Sequence, residues 1–277
     1  MQSSPPPPAP SAHIGKLLRE WRGMRRLSQL DLALEANVSA RHLSYVETGK
    51  SQPSRDMVTR LADVLDMPLR ERNALLIAAG YAPTYRETSL DTETMAPVRR
   101  ALEFILEHQN PYPAFVMNRY WDVQMTNSAL LSIFRVLKDG GPKHSNILRQ
   151  VFDPDDMRPL VANWEEVAGD LIRHLHDEIA ASPSDARLRE LLDEVLSYPD
   201  VPAGWRAREP SMSPLPLLTT IFRAGDLELH FFSTLTTFGT TRDVTLDELR
   251  IESMFPVDDT TASRCRAIAA NARKATN

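Results

Sequence analysis

Apolar residues at Ile14, Leu17, Leu18 and Trp21 keep the i, i+3, i+4, i+7 spacing that turns one side of a helix to a core. This predicts a helix over 14–26, with Lys16, Arg19, Arg22, Arg25 and Arg26 on its polar surface. Ser28 followed by Asp31 reads as a capping box opening a second helix, which turns Leu32, Ala33 and Ala36 inward. "Ala-Asn-Val-Ser" breaks it: Asn37 tolerates a left-handed backbone, Val38 plugs the corner, and Ser39 caps a third helix carrying Leu43 and Val46. A fourth helix follows with Met57, Leu61, Ala62 and Leu65, and a fifth runs from Leu69 to Ala79 and stops at Gly80.

Further along, the pattern changes period. A helix over 97–107 carries Val98, Ala101, Leu102, Ile105 and Leu106, and "Asn110-Pro-Tyr-Pro" ends it in extended chain. Ala114 to Asn118 reads as a short strand, and Trp121, Val123 and Met125 alternate with Asp122 and Gln124 as a second. Asn127 opens a helix, and the signal stays helical from Asn146 to Leu196, with Pro183 and Ser184 between two segments. Strands return at Leu217–Phe222, at a hairpin signal "Ala-Gly-Asp", at Leu227, Leu229 and Phe231, and at Ile251–Phe255. The order predicts two domains: an all-α five-helix head, then an α+β domain with an antiparallel sheet.

Charge separates the two halves. Residues 11–84 hold 11 Lys/Arg against 8 Asp/Glu, while the rest hold 21 against 29, so an anionic partner is expected at the head alone. No run of 18 apolar residues occurs, and no membrane span is expected. The opening "MQSSPPPPAPSA" has neither the basic nor the apolar region of a secretory signal, and its prolines favour a solvated, extended tail. A single cysteine, Cys265, permits no disulfide framework and fits a cytoplasmic protein; it is read as a bystander thiol near a mobile C-terminus.

Two short helices joined by a tight turn form a helix-turn-helix, whose second helix enters the major groove of DNA. "SQLDLALEANVSARHLSYVETGKSQPS" resembles the XRE (Cro/C1-type) helix-turn-helix domain: S-Q-x-x-L-A, V-S, L-S, E-x-G-K and P-S are all present, with Asn37 where glycine is usual. The resemblance implies that Gln29 reaches a phosphate or base and that Ala40, Arg41, Ser44 and Tyr45 face the groove. Arg41 would contact guanine and Ala40 a thymine methyl. Arg26 and Lys50 would clamp phosphates, and the capping serines Ser28 and Ser39 complete the DNA-facing set. The expected partner is a palindromic double-stranded operator bound by a homodimer.

A second resemblance spans the body. "AGYAPTY", "PAFVMNRYWDVQMTNSAL", "NWEEVAGDLIRHL" and "FFSTLTTFGTTRDVTLDELRIESMFPVDDTT" are similar to the MmyB-like transcription regulators from about residue 78 to 261. That implies a PAS-like ligand-binding domain holding a small hydrophobic molecule such as a fatty acid. The expected organisation is a disordered tail (1–12), the head (13–82), a linker and connecting helix (83–108), the PAS-like domain (109–261) and a C-terminal tail (262–277). Candidate ligand contacts are Phe115, Trp121, Val123, Trp164, Phe222 and Phe231, with Arg223 or His230 at a polar end.

Catalytic and metal signatures are sparse. His174 and Glu178 are four apart on a helix, but two ligands fall short of a structural zinc site, and no metal or cofactor is expected. Neither a nucleophile elbow nor a phosphate-binding loop occurs, so the chain is not expected to be an enzyme. Asp153, Asp155 and Asp156 are read as carboxylates at a helix N-terminus. The leading expectation is a ligand-responsive transcription regulator; a body serving only to dimerise, or an enzyme fused to a DNA-binding head, are the alternatives.

Overall fold

The computed structural model describes residues 10–182, 185–207 and 217–276. Residues 1–9 of the expected tail, and the expected break at 183–184, lie outside these. Two compact units emerge: one runs to Thr88 and takes in Thr240–Asp247, and the other comprises Ser89–Gly239 and the chain from Glu248.

The first unit holds α1 (Pro10–Met24), α2 (Gln29–Glu35), α3 (Ala40–Glu47), α4 (Arg55–Val64) and α5 (Leu69–Ala78). Ile14, Leu18, Leu32, Leu43, Val46, Leu61 and Leu75 form its sealed core. The capping box is complete: Ser28 Oγ accepts from the Asp31 amide at 3.1 Å, and Asp31 accepts from the Ser28 amide at 3.0 Å. Each helix ends in a residue with positive φ: Arg26, Asn37, Gly49, Asp66 and Gly80. The following amide in each case reaches back to the carbonyl five residues earlier, the Schellman pattern that satisfies the last turn. The first helix therefore ends two residues before the predicted Arg26, which turns left-handed at φ 55°. It also begins earlier than expected, so residues 10–12 belong to a helix and not to the tail.

Gly15 lets α1 cross the last turn of α3. A Cβ there would lie 2.4 Å from the Glu47 carbonyl oxygen and 2.8 Å from that of Val46. The segment 240–247 joins this unit through the Val244 amide, 2.8 Å from the Arg86 carbonyl, and through the Thr88 hydroxyl, 2.5 Å from Asp243.

The second unit starts with α6 (Ala96–His108). Its sheet comprises β1 (Ala114–Met117), β2 (Val123–Thr126), β3 (Thr219–Ala224), β4 (Leu227–Thr236) and β5 (Arg250–Pro256). The strands are antiparallel and ordered β2-β1-β5-β4-β3. Helices α7 (Ser128–Leu137), α8 (Ile147–Phe152), α9 (Trp164–Ala181) and α10 (Ala186–Val195) lie between β2 and β3 in sequence; α11 (Val244–Glu248), which belongs to the first unit up to Asp247, precedes β5, and α12 (Asp259–Thr276) follows it. Phe115 pairs with Glu252 and Glu252 with Leu235, while Met254 pairs with Ser233, so period-two alternation sets these side chains on one face. Thr220 and Phe222 join them through Phe231 and Leu229. Gly225, at φ 56°, closes the predicted β3–β4 hairpin.

Two expectations fail here. Trp121 is not on an alternating strand: it sits in the β1–β2 turn at φ 60°, its amide donating to the Asn118 carbonyl at 3.1 Å. Asn118 Oδ1 holds that turn by accepting from the amides of Tyr120 and Asp122. Nor is the chain beyond 262 a free tail. Helix α12 packs on α7, β4 and β5, and it places Cys265 in a core with Phe231 and Met254, where the thiol is 1% exposed. Burial pushes that thiol up to about 11, against the pull of Arg266.

Candidate functional site

In the first unit the predicted DNA residues lie on α2 and α3, at their N-caps, and just beyond the ends of α1 and α3. Ala40 and Arg41 are exposed at the start of α3, with Ser44 and Tyr45 one turn on; Lys50 and Arg26 are exposed beyond the ends of α3 and α1. Arg41 donates to the Tyr45 hydroxyl at 3.1 and 3.2 Å, and its guanidinium lies 5.5 Å from that ring centroid. The pair ties Arg41 to the residue one turn on, at the exposed surface of α3. Ser28 and Ser39 are spent on capping, Ser39 accepting from the His42 amide at 3.0 Å.

Gln29 is placed differently from expectation. Its side-chain amide donates to Glu47 at 2.7 Å, and Arg22 grips the same carboxylate through two bonds of 2.8 and 3.1 Å. Glu47 is buried, so these bonds replace the water it loses. Gln29 and Arg22 thereby lock α1, α2 and α3 together.

The second unit holds a cavity of about 540 Å³, partly open to solvent, between the sheet and α7–α9. Phe115, Met117, Thr220, Phe222, Leu235 and Met254 line it from the sheet, and Leu130, Phe134, Val151, Val167 and Leu171 from the helices and their connections. Its volume and apolar lining are those of a small-molecule pocket. One end is polar. Asp170, His174, Asp177 and Glu178 project from α9 at the i, i+4, i+7, i+8 positions of one stripe, facing Arg250 and Glu252 of β5 and Ser233 of β4. Arg250 is ion-paired with Glu178, and its guanidinium lies 5.6 Å from the Trp121 ring centroid. Glu252 keeps accessible surface, but that surface opens into the cavity; burial raises its carboxyl, with a hydrogen bond from Ser233 opposing.

Of the predicted ligand contacts, Phe115, Trp121 and Phe222 line this cavity, while Val123, Trp164, Arg223, His230 and Phe231 do not. Phe231 shares the face but is packed into the core beside Cys265. The Trp164 indole donates to the Val151 carbonyl at 2.8 Å, and its ring is covered by Arg158 at 3.8 Å. Arg223 and His230 do not form the polar end: both bind Glu228 at 2.6 Å, away from the cavity. Their register explains it, because Arg223 and His230 alternate with Phe222 and Phe231 and so take the opposite face.

The acidic triplet opens no helix. It follows α8, and Asp153 accepts from Lys143 Nζ at 3.0 Å, His144 Nε2 at 2.7 Å and the Asp155 amide at 2.8 Å. Asp156 accepts from Lys138 Nζ and the amides of Lys143 and His144. Together they fasten the glycine-bearing loop that leads into α8. Among the described residues, no three His, Cys, Asp or Glu side chains gather as metal ligands, and no helix is long and apolar enough to cross a membrane.

Comparison with known proteins follows this division. No curated protein matches the chain. Among solved structures, the restriction-modification controller protein C.AhdI from Aeromonas hydrophila is 32% identical over 22% of this chain and 94% of its own, with a TM-score of 0.22. The clp gene regulator ClgR from Corynebacterium glutamicum is 23% identical over 38% of this chain and 99% of its own, with a TM-score of 0.24. An RNA-binding light-oxygen-voltage receptor is 12% identical over 95% of this chain and 64% of its own, with a TM-score of 0.26. A helix-turn-helix domain model matches residues 13–75. The model of the MmyB-like transcription regulator ligand binding domain matches residues 98–268, more than half of the chain, and the chain belongs to that family of regulators.

Proposed function

We propose that this regulator binds a specific operator through α3 and that its affinity for that operator is set by a small hydrophobic molecule held in the second unit. The observation that carries the reading is the mainly apolar cavity of about 540 Å³ on the face of the sheet. A body serving only to dimerise would have no need of such a space, since interiors otherwise pack to crystal-like density. A fatty acid, which the family resemblance suggests, matches the apolar part of the cavity.

In the head, the exposed Arg41–Tyr45 pair supports base reading, and Arg26 and Lys50 support phosphate contacts. We take the DNA-bound form to be a homodimer on a palindrome, with half-sites one helical turn apart. Coupling requires only that the ligand bind two conformations of the protein unequally. No turnover is proposed.

The test is mass spectrometry of a denaturing solvent extract of the purified full-length chain, followed by DNA binding with and without what is found. A stoichiometric amphiphile that changes operator affinity supports the reading. An empty extract, together with no binding of added amphiphiles, overturns it.

A further inference from the structure

We infer that the molecule suited to this cavity is an acyl chain with a hydroxyl group a few carbons from its head, and that the Glu252–Ser233 pair receives that hydroxyl. The inference rests on the reading of the cavity as a ligand site. The charge of the head plays no part in it.

Glu252 lies on β5, the middle strand of the five. Phe115 of β1 and Leu235 of β4 flank it in register, and Met254 follows it on the same face. All three neighbours line the cavity. A carboxyl is thus set among apolar groups in the floor of the cavity, and its accessible surface opens there. Ser233, diagonal to it on β4, gives it one hydrogen bond. Arg250, two residues earlier on that face, is paired with Glu178.

One bond does not fill the capacity of a carboxyl. Burial holds Glu252 toward its neutral form, which has an O–H donor beside a carbonyl acceptor. A plain chain lying over it would strip away water and return no hydrogen bond, which is costly. A hydroxyl donates and accepts, so it replaces that water. The register also sets where the hydroxyl must be. The other charged side chains of the described lining are Arg250 and those of α9, so the head of an amphiphile lies among them. Glu252 is two residues along β5 from Arg250, about 7 Å. The chain therefore meets Glu252 within its first few carbons, before it reaches Met254. A hydroxyl at the far end of the chain would miss it.

The experiment uses the full-length protein and three probes of equal chain length: laurate, β-hydroxylaurate and ω-hydroxylaurate. Each is kept below its micelle threshold at pH 7 and displaces the neutral dye Nile red. β-Hydroxylaurate should bind about tenfold tighter than laurate, and ω-hydroxylaurate no tighter than laurate. Glu252→Leu should bring β-hydroxylaurate and laurate to within about twofold of each other while laurate still binds, which shows that the fold survives. Glu252→Gln keeps a donor and an acceptor, and should retain part of the preference. Laurate binding as tightly as β-hydroxylaurate overturns the hydroxyl subsite and leaves the cavity standing. A preference that persists in Glu252→Leu overturns the assignment to Glu252. Failure of all three probes overturns the ligand site itself, and this inference with it.

Discussion

Arg41 is the residue on which sequence discrimination turns. Its guanidinium is already held against Tyr45, so little side-chain freedom need be lost on meeting a base. Arg41→Ala should remove about 1–3 kcal/mol of preference for the selected duplex over random duplex while leaving weak, salt-sensitive binding. Fluorescence anisotropy on both duplexes across a salt series checks this; an unchanged ratio would remove Arg41 from base reading. Asp153 offers a second residue-scale test. Burial pushes its carboxyl up, but His144, the Asp155 amide and Lys143 outweigh that and hold it at about 2. A depressed carboxylate contributes stability above its unfolded value of about 4 and loses it as the pH falls toward 2. The stability gap between the protein and Asp153→Asn should therefore be constant from pH 7 to 5 and close between about pH 4 and 2 in denaturant titrations. The carboxylate is covered but shallow, so added salt should narrow the gap.

Among the elements, α1 crosses α3 closely enough that Gly15 leaves no room for a side chain. Gly15→Ala would put a methyl group 2.4 Å from the Glu47 carbonyl oxygen, and backbone cannot swing aside as a side chain can. We expect the head to lose about 1–3 kcal/mol and DNA binding to fall with it, because α3 is displaced; thermal melting and anisotropy together measure this. The sequence makes some of this level legible. The Ser28 and Ser39 caps, the Asn37 corner and the Ala224–Leu227 hairpin are local chemistry, and local patterns show them. Arg26 does not look like a left-handed residue, whereas Asp66, like Asn37, is of a type that takes that conformation more readily. Trp121 alternates with Val123 and Met125 as a strand residue would, yet a turn claims it; the roughly 1 kcal/mol cost of a left-handed tryptophan is offset by burying its indole. The polar end of the cavity was the least legible part. Alternation along β5 gives the phase of Arg250, Glu252 and Met254, but only the register of β5 between β1 and β4 brings them opposite α9.

For the whole molecule, the question is whether occupancy of the second unit reaches the first. Thr220→Phe places a ring in the cavity without deleting a core residue. It should weaken probe binding about tenfold, keep or raise the melting temperature, and abolish any ligand effect on operator affinity. Retained ligand response in that variant would place the sensing elsewhere. The position of Cys265 equips the chain to report on itself. It is the single cysteine of 277 residues and sits on the buried face of α12, so a thiol reagent reacts when that helix lifts from the sheet. Labelling then becomes a stopwatch for one opening event, and its slowing by a cavity ligand would measure how firmly the occupied sheet holds its last helix.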